Sequence, residues 1–213
     1  MTTSAVDTDQ LRFWRGEFGR SYIERNPASA EHLGARVALW AKILERLINP
    51  PPKSILEVGA NIGNNIRALR TMSGAEMYAV EPIPEARQAL VSQGVLDADK
   101  VFDACAAKIP LADGAVDLAF TSGVLIHIHP DQLLQSCREI YRVARRYIVC
   151  IEYFSDKPEM IPYRGHADRL FKRDFGGFYL DNFPDLQVVD YGFAWKRVTG
   201  IDNATWWAFA KPE

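Results

Sequence analysis

The sequence predicts an α/β fold: a mainly parallel sheet with helices on both faces, closed at its C-terminal end by an antiparallel hairpin. Two observations lead there. Short β-rich runs alternate with helix-length segments between Ser54 and Ile151, the pattern of parallel βαβ units. The last two runs, Leu186 to Tyr191 and Ala204 to Ala210, are joined by a short polar stretch, whereas a parallel crossover needs about a dozen residues or more.

At the N-terminal end, Trp14, Phe18 and Tyr22 recur at i, i+4 and i+8, one face of a helix that Gly16 and Gly19 weaken. A better-formed helix is expected from about Ala28 to Leu47, stopped by Asn49-Pro50-Pro51-Pro52. Residues 1–48 therefore read as a helical lid or cap on a single domain spanning residues 1–213. The β-rich runs follow at Ser54–Val58, Met77–Val80, Lys100–Phe102, Val116–Phe120 and Tyr147–Ile151, with a helix from about Asn64 to Arg70 after the first.

Composition narrows the function classes. With 213 residues, 48% of them hydrophobic and 24% charged, the chain can bury one substantial core. A formal net charge of -2 argues against nucleic acid as a partner, which usually demands a basic face. Only the segment from Arg164 to Arg173 is locally basic. Cys105, Cys137 and Cys150 form no CxxC pair, and no histidine stands at metal-ligand spacing, so neither a disulfide framework nor a metal is expected. A cytoplasmic setting is the expectation, with no membrane span: no apolar run approaches the roughly 18 residues required.

The loop after the first β-run carries the clearest chemistry. The run ends in Glu57-Val58 and leads into Gly59, Asn61 and Gly63, then into a helix beginning at Asn64. Glycines permit a tight turn and close approach of a ligand, and asparagine tolerates left-handed geometry better than most residues. The spacing is not GxGxxG, and the carboxylate of Glu57 would repel a pyrophosphate and attract an amino group. S-adenosylmethionine (SAM) carries an amino group and a sulfonium but no phosphate. The second run ends in Glu81-Pro82, 18 positions after Gly63, where an acidic side chain can bind both ribose hydroxyls. NAD enzymes use the same device, so Glu81 alone does not separate the two cofactors. Asp103-Ala104, after the third run, and Ser122, at the end of the fourth, are further candidates around the adenine and the sulfonium.

With these residues in place, nearly the whole chain resembles one branch of the class I SAM-dependent methyltransferases, the small methylases found beside pseudaminic acid biosynthesis genes. The resemblance rests on the stretches Phe13 to Gly19 with Tyr22 and Arg25-Asn26, Leu56 to Asn65, Gly123 to Ile128, Ile151 to Phe154, Tyr163 to His166, Asp168 to Gly176, Tyr191 to Trp195 and Thr205 to Trp207. It implies a Rossmann-like, seven-stranded class I methyltransferase fold, SAM as cofactor and an enzyme of biosynthesis. The Pro-Gly-Gly turn common before the fifth strand of the superfamily is replaced here by Arg145-Arg146.

Methyl transfer from a sulfonium mainly requires alignment of acceptor and methyl, with one base where a proton must leave. His127, just past the fourth run, has the near-neutral intrinsic pKa of a general base, although a structural histidine packed beneath the cofactor loop fits equally well. Glu152-Tyr153 ends an otherwise apolar fifth run. Tyr163, Arg164 and His166 open a segment with five basic or imidazole side chains in ten residues, and Arg164 could clamp a carboxylate or phosphate. Tyr22 and Arg25 are placed near the methionine carboxylate. The leading expectation is methyl transfer to a small, anionic metabolite. Two alternatives use the same pocket: a SAM-consuming reaction that releases methylthioadenosine, and a non-catalytic SAM-binding partner. A nicotinamide oxidoreductase is disfavoured by the missing GxGxxG. The oligomeric state is not legible.

Overall fold

The computed structural model describes residues 8–25 and 27–212; Asn26 of the predicted lid and the first seven residues lie outside them. The N-terminal aromatic stripe forms two helices, α1 (Asp9–Arg15) and α2 (Glu17–Glu24), with Gly16 between them as the C-cap of one and the N-cap of the next. The predicted single helix is thus broken at the first of its two glycines. Helix α3 (Ala30–Leu44) is capped by the Ser29 side chain, which accepts from the His32 N–H. It ends three residues short of the expected Leu47.

Strand β1 (Ser54–Val58) leads through the glycine loop into α4 (Asn64–Arg70), β2 (Glu76–Val80), α5 (Pro84–Ser92) and the two-residue β3 (Val101–Phe102). Then come β4 (Val116–Ser122), a 3-10 turn (Leu125–His127), α6 (Pro130–Val143) and β5 (Ala144–Glu152). Strand β5 starts earlier than expected. Arg145 and Arg146 therefore sit inside the strand, and Arg145 Nε donates to buried Asp117 on neighbouring β4 at 2.9 Å. A small ribbon, β6 (Glu159–Met160) with β7 (Phe171–Lys172), was not legible at two residues per strand. Helix α7 (Phe175–Asn182), β8 (Gln187–Ala194), the short α8 (Lys196–Thr199) and β9 (Ala204–Ala210) complete the chain.

The main sheet has seven strands in the order β3-β2-β1-β4-β5-β9-β8. Pairings among β3, β2, β1, β4 and β5 are parallel, and β9 runs antiparallel to both its neighbours. Successive strand residues point into two separate cores. Ile55, Ala79, Leu118 and Val149 pack with Trp40, Ile43, Leu69 and Leu90 of α3, α4 and α5. Leu56, Val80, Ala119 and Cys150 pack with Leu133, Cys137 and Ile140 of α6 and Tyr179 of α7. This two-sided burial explains why the strands read as continuous apolar runs. No described helix is long and apolar enough to cross a membrane.

Candidate active site at the carboxyl edge of the sheet

Parallel strands present their carboxyl ends, and the following helix N-termini, along one edge where ligands collect. Gly59, Asn61 and Gly63 all have positive φ, at 78°, 49° and 78°, so the left-handed geometry expected of Asn61 is present. A Cβ on Gly59 would lie 2.6 Å from Val124 Cγ2, and one on Gly63 2.6 Å from Leu90 Cδ2. Gly63 therefore serves the packing of the helix start, and it does not line the pocket that the loop borders. Gly59, Asn61 and Asn64 do.

Glu57 is 2% exposed. Its Oε1 accepts from Asn65 Nδ2 at 2.7 Å, and Asn65 Oδ1 accepts from Trp40 Nε1 at 3.3 Å. Its Oε2 has no hydrogen-bond partner among the described residues, and neither does Asn61 Oδ1 or the Trp14 indole N–H, both also on pocket-lining residues. Burial pushes the Glu57 carboxyl up to about 8, against the opposing pull of the Asn65 hydrogen bond and the Arg36 charge. Glu81 accepts the backbone N–H groups of Asn61 (2.6 Å) and Ile83 (2.8 Å), and burial raises it to about 7. Because the folded state holds these protons more tightly than the unfolded chain, stability falls as pH rises from about 4.5 through about 8. The unliganded protein is expected to melt at a higher temperature at pH 6 than at pH 8.5 in a calorimetric scan, and a cationic ligand beside Glu57 should narrow the gap.

The same pocket is lined by Tyr22, Glu81, Pro82, Ser122 and His127, as expected, and by Gln10, Trp14, Arg36 and Cys105 to Ala107, which were not. Arg36 projects from α3 towards Glu57, and burial lowers its pKa against the pull of that carboxylate. Arg25, expected here, lies outside the pocket lining: its Nη1 donates to Ser21 Oγ and its guanidinium lies over the Phe18 and Tyr22 rings. Asp103 also lies outside. It pairs with Arg15 of α1 (2.8 Å) and Arg87 of α5 (2.9 Å), while Ala104 packs against the second core. The pocket wall expected there is formed two residues later, by Cys105, Ala106 and Ala107.

His127 closes the 3-10 turn and is 8% exposed. Its ring lies 4.7 Å from Trp14 and 5.2 Å from Tyr163, centroid to centroid. Its Nδ1 is 2.7 Å from the Arg169 carbonyl oxygen, so Nδ1 carries the proton and Nε2 the lone pair. Burial lowers its pKa to about 4, with the Arg169 hydrogen bond opposing. The near-neutral basicity expected of a general base is thus not retained. At neutral pH His127 is an uncharged hydrogen-bond acceptor, which suits the orientation of an acceptor N–H or O–H better than storage of its proton.

Glu152 is fully buried and does not line the pocket. Its Oε1 accepts from Val124 and Leu125 N–H, both at 3.1 Å, and its Oε2 from Ile126 N–H at 3.4 Å. The carboxylate caps the turn that presents His127, and its oxygens are committed to that task. Glu152→Ala leaves three donors unsatisfied and is expected to cost about 3 kcal/mol, read by chemical denaturation, with Glu152→Gln retaining most of the loss. Tyr153 donates to Asp202 at 2.8 Å and borders a second, open groove with Phe154, Phe193, Lys172 and Lys196. Burial and that hydrogen bond both raise its pKa. Tyr163, Arg164 and His166 line neither cavity. They form a tight turn, with Arg164 and Gly165 at positive φ, that packs on the lid: His166 lies 4.7 Å from Phe13 and Tyr163 5.8 Å from Phe18.

The unpartnered acceptors Glu57 Oε2 and Asn61 Oδ1, the doubly buried acidic strand ends and the left-handed loop fit an amino-bearing adenosyl ligand, and residues 56–150 match the family described as "Methyltransferase domain". The match spans 95 of the chain's 213 residues, from β1 into β5. A domain of this kind uses SAM as its cofactor. Its fold is shared by solved structures of low sequence identity. A Burkholderia thailandensis 1,6-didemethyltoxoflavin-N1-methyltransferase, solved with 1,6-didemethyltoxoflavin and S-adenosylhomocysteine, is 17% identical, covering 99% of this chain and 94% of that one at a TM-score of 0.71. A magnesium protoporphyrin IX methyltransferase from Synechocystis with bound SAM is 14% identical, covering 98% and 100% at 0.67. A cyclase is 12% identical, covering 99% of each chain at 0.65. A search of the curated proteins found no match.

Proposed function

We propose that this methyltransferase moves a methyl group from SAM to a small, anionic metabolite in a biosynthetic pathway, and that it belongs to the branch of small methylases found beside pseudaminic acid biosynthesis genes. In this reading the whole chain is one domain, with residues through 48 as its lid, working in the cytoplasm. SAM supplies the electrophilic methyl and its own leaving group. The protein's residues do the rest. Glu57 takes the ammonium and Arg36 the carboxylate of the methionine end, Glu81 takes the ribose, and Cys105 to Ala107 wall the adenine. His127 accepts a hydrogen bond from the nucleophile, while Trp14 and Tyr163 exclude water around it. Lys172 and Lys196, beside Tyr153, offer charge to an anionic acceptor. Two of the structural neighbours were named for small-molecule methylation.

The observation that carries this reading is the pairing of a buried, half-satisfied carboxylate at Glu57 with a neutral, acceptor-bearing imidazole in one pocket. Chromatography of the nucleoside formed during turnover tests it. S-adenosylhomocysteine is the expected product; methylthioadenosine alone would sink methyl transfer and favour the second reading, to which the fold's appearance in a cyclase lends support.

Protonation of Glu57 opposes a cationic ligand, so SAM affinity is expected to rise with pH between about 6 and 7.5, approaching tenfold per unit. Calorimetric titration across that range checks it. A flat profile would show that Glu57 is already ionised or is not the ammonium's partner.

A further inference from the structure

Three segments remote in sequence meet at His127 in a closed ring of hydrogen bonds. Gln10 Nε2, on α1 of the lid, donates to the His127 carbonyl at 2.6 Å. The His127 Nδ1–H donates to the Arg169 carbonyl at 2.7 Å, and Arg169 Nη1 returns to Gln10 Oε1 at 3.1 Å. Every member therefore holds the other two. The Arg169 guanidinium also lies over the Phe13 ring of α1, 4.7 Å from its centroid, and pairs with Asp168 at 2.6 Å. Beside the ring, Trp14 of α1 rests on the His127 imidazole.

We propose that Gln10 and Arg169 are positioning residues: they tie closure of the N-terminal lid to the orientation of the His127 imidazole, so that Nε2 faces the pocket only when the lid is down. The proposal rests on the reading of this pocket as the SAM site. An isolated imidazole can rotate or exchange its proton between nitrogens. Here Nδ1 is held by a carbonyl whose own residue is anchored to the lid, and the His127 backbone is held by the lid directly. With α1 lifted, both restraints on that geometry weaken together. Gln10 itself lines the pocket, so a bound ligand beneath α1 stabilises the closed ring, and the ring in turn slows the ligand's escape. Neither residue needs to touch the reacting atoms.

The test needs no acceptor. The full chain is loaded with SAM, and its dissociation is followed by stopped-flow tryptophan fluorescence, for which Trp14 at the pocket wall is a built-in reporter. Gln10→Ala and Arg169→Ala are each expected to speed dissociation about tenfold, the usual net worth of one such hydrogen bond. The double variant is expected to be little faster than either single, because both open the same ring. Nitrogen-15 spectra of the imidazoles, of which the sequence has four, supply the readout that a merely structural role would not move. The SAM-bound wild type is expected to show His127 as a single Nδ1–H tautomer, and both variants a mixture. Arg169→Lys, which keeps one donor, is expected to restore part of both effects. If SAM binds but the rates and the tautomer are unchanged in folded variants, the coupling is overturned. If SAM does not bind the wild type at all, the reading of the pocket fails instead.

Discussion

Glu57→Gln is expected to weaken SAM binding by about 100-fold, the effect of removing one partner of a desolvated charge pair. Glutamine keeps an oxygen for the Asn65 amide, so the substitution spares the hydrogen bond that fixes the side chain. What it removes is the negative charge at Oε2, the atom without a partner. The unliganded variant should be at least as stable as the wild type above neutral pH, since a carboxyl raised to about 8 by burial is a liability once ionised. Its SAM affinity should also lose the rise with pH. Titration calorimetry and a thermal melt on the same sample separate these effects: weaker binding with an intact melt supports the assignment, and unchanged binding refutes it.

Trp40→Ala is expected to destabilise the protein by about 4 kcal/mol, the cost of emptying a large aromatic site in a packed core. Trp40 is completely buried, packs edge-on against Phe120 at 4.5 Å, and is the N–H donor at the head of the Trp40–Asn65–Glu57 relay. The substitution therefore has a second consequence. Asn65 loses the donor that orients its amide, and SAM affinity should fall by more than the lost stability alone would produce. Trp40→Phe retains most of the packing and loses only the relay, so its affinity loss measures the relay by itself. Denaturant unfolding gives the first quantity and titration the second.

The loop side of the pocket was largely legible because its residues are local in sequence. Glu57, Asn61 and Asn64 lie within one strand-loop-helix unit, and Glu81 ends the next strand. Hydrophobic patterning likewise placed β9 and α4 where the structure has them, because turn and helix-start signals bound both. The remainder depends on contacts across the fold. Arg36 sits on a helix without a motif, and nothing in its neighbourhood along the chain announces that it reaches Glu57. Asp103 looked like an adenine ligand by position, but Arg15 and Arg87, 88 and 16 residues away, claim it. Glu152 was correctly singled out as an anomaly in an apolar strand. Its task became visible only with the pairing of Ser122 with Ile151, which brings the turn after β4 within its reach. The basicity of His127 was decided by burial beneath Trp14 and Tyr163, which no spacing rule encodes.

The excursion between β5 and α7 has a wider meaning. It carries Tyr153, the Tyr163–His166 turn, Arg169 and Lys172, while Glu57, Asn61 and Glu81 of the first pocket stand on the strands and loops that precede it. Neither β6 nor β7 joins the main sheet, so evolution can redraw this stretch without reopening the scaffold. A graft of residues 153–174 from a relative, with Arg169 retained, is then expected to change acceptor choice while leaving SAM affinity near that of the wild type, making the enzyme a chassis with an exchangeable tool.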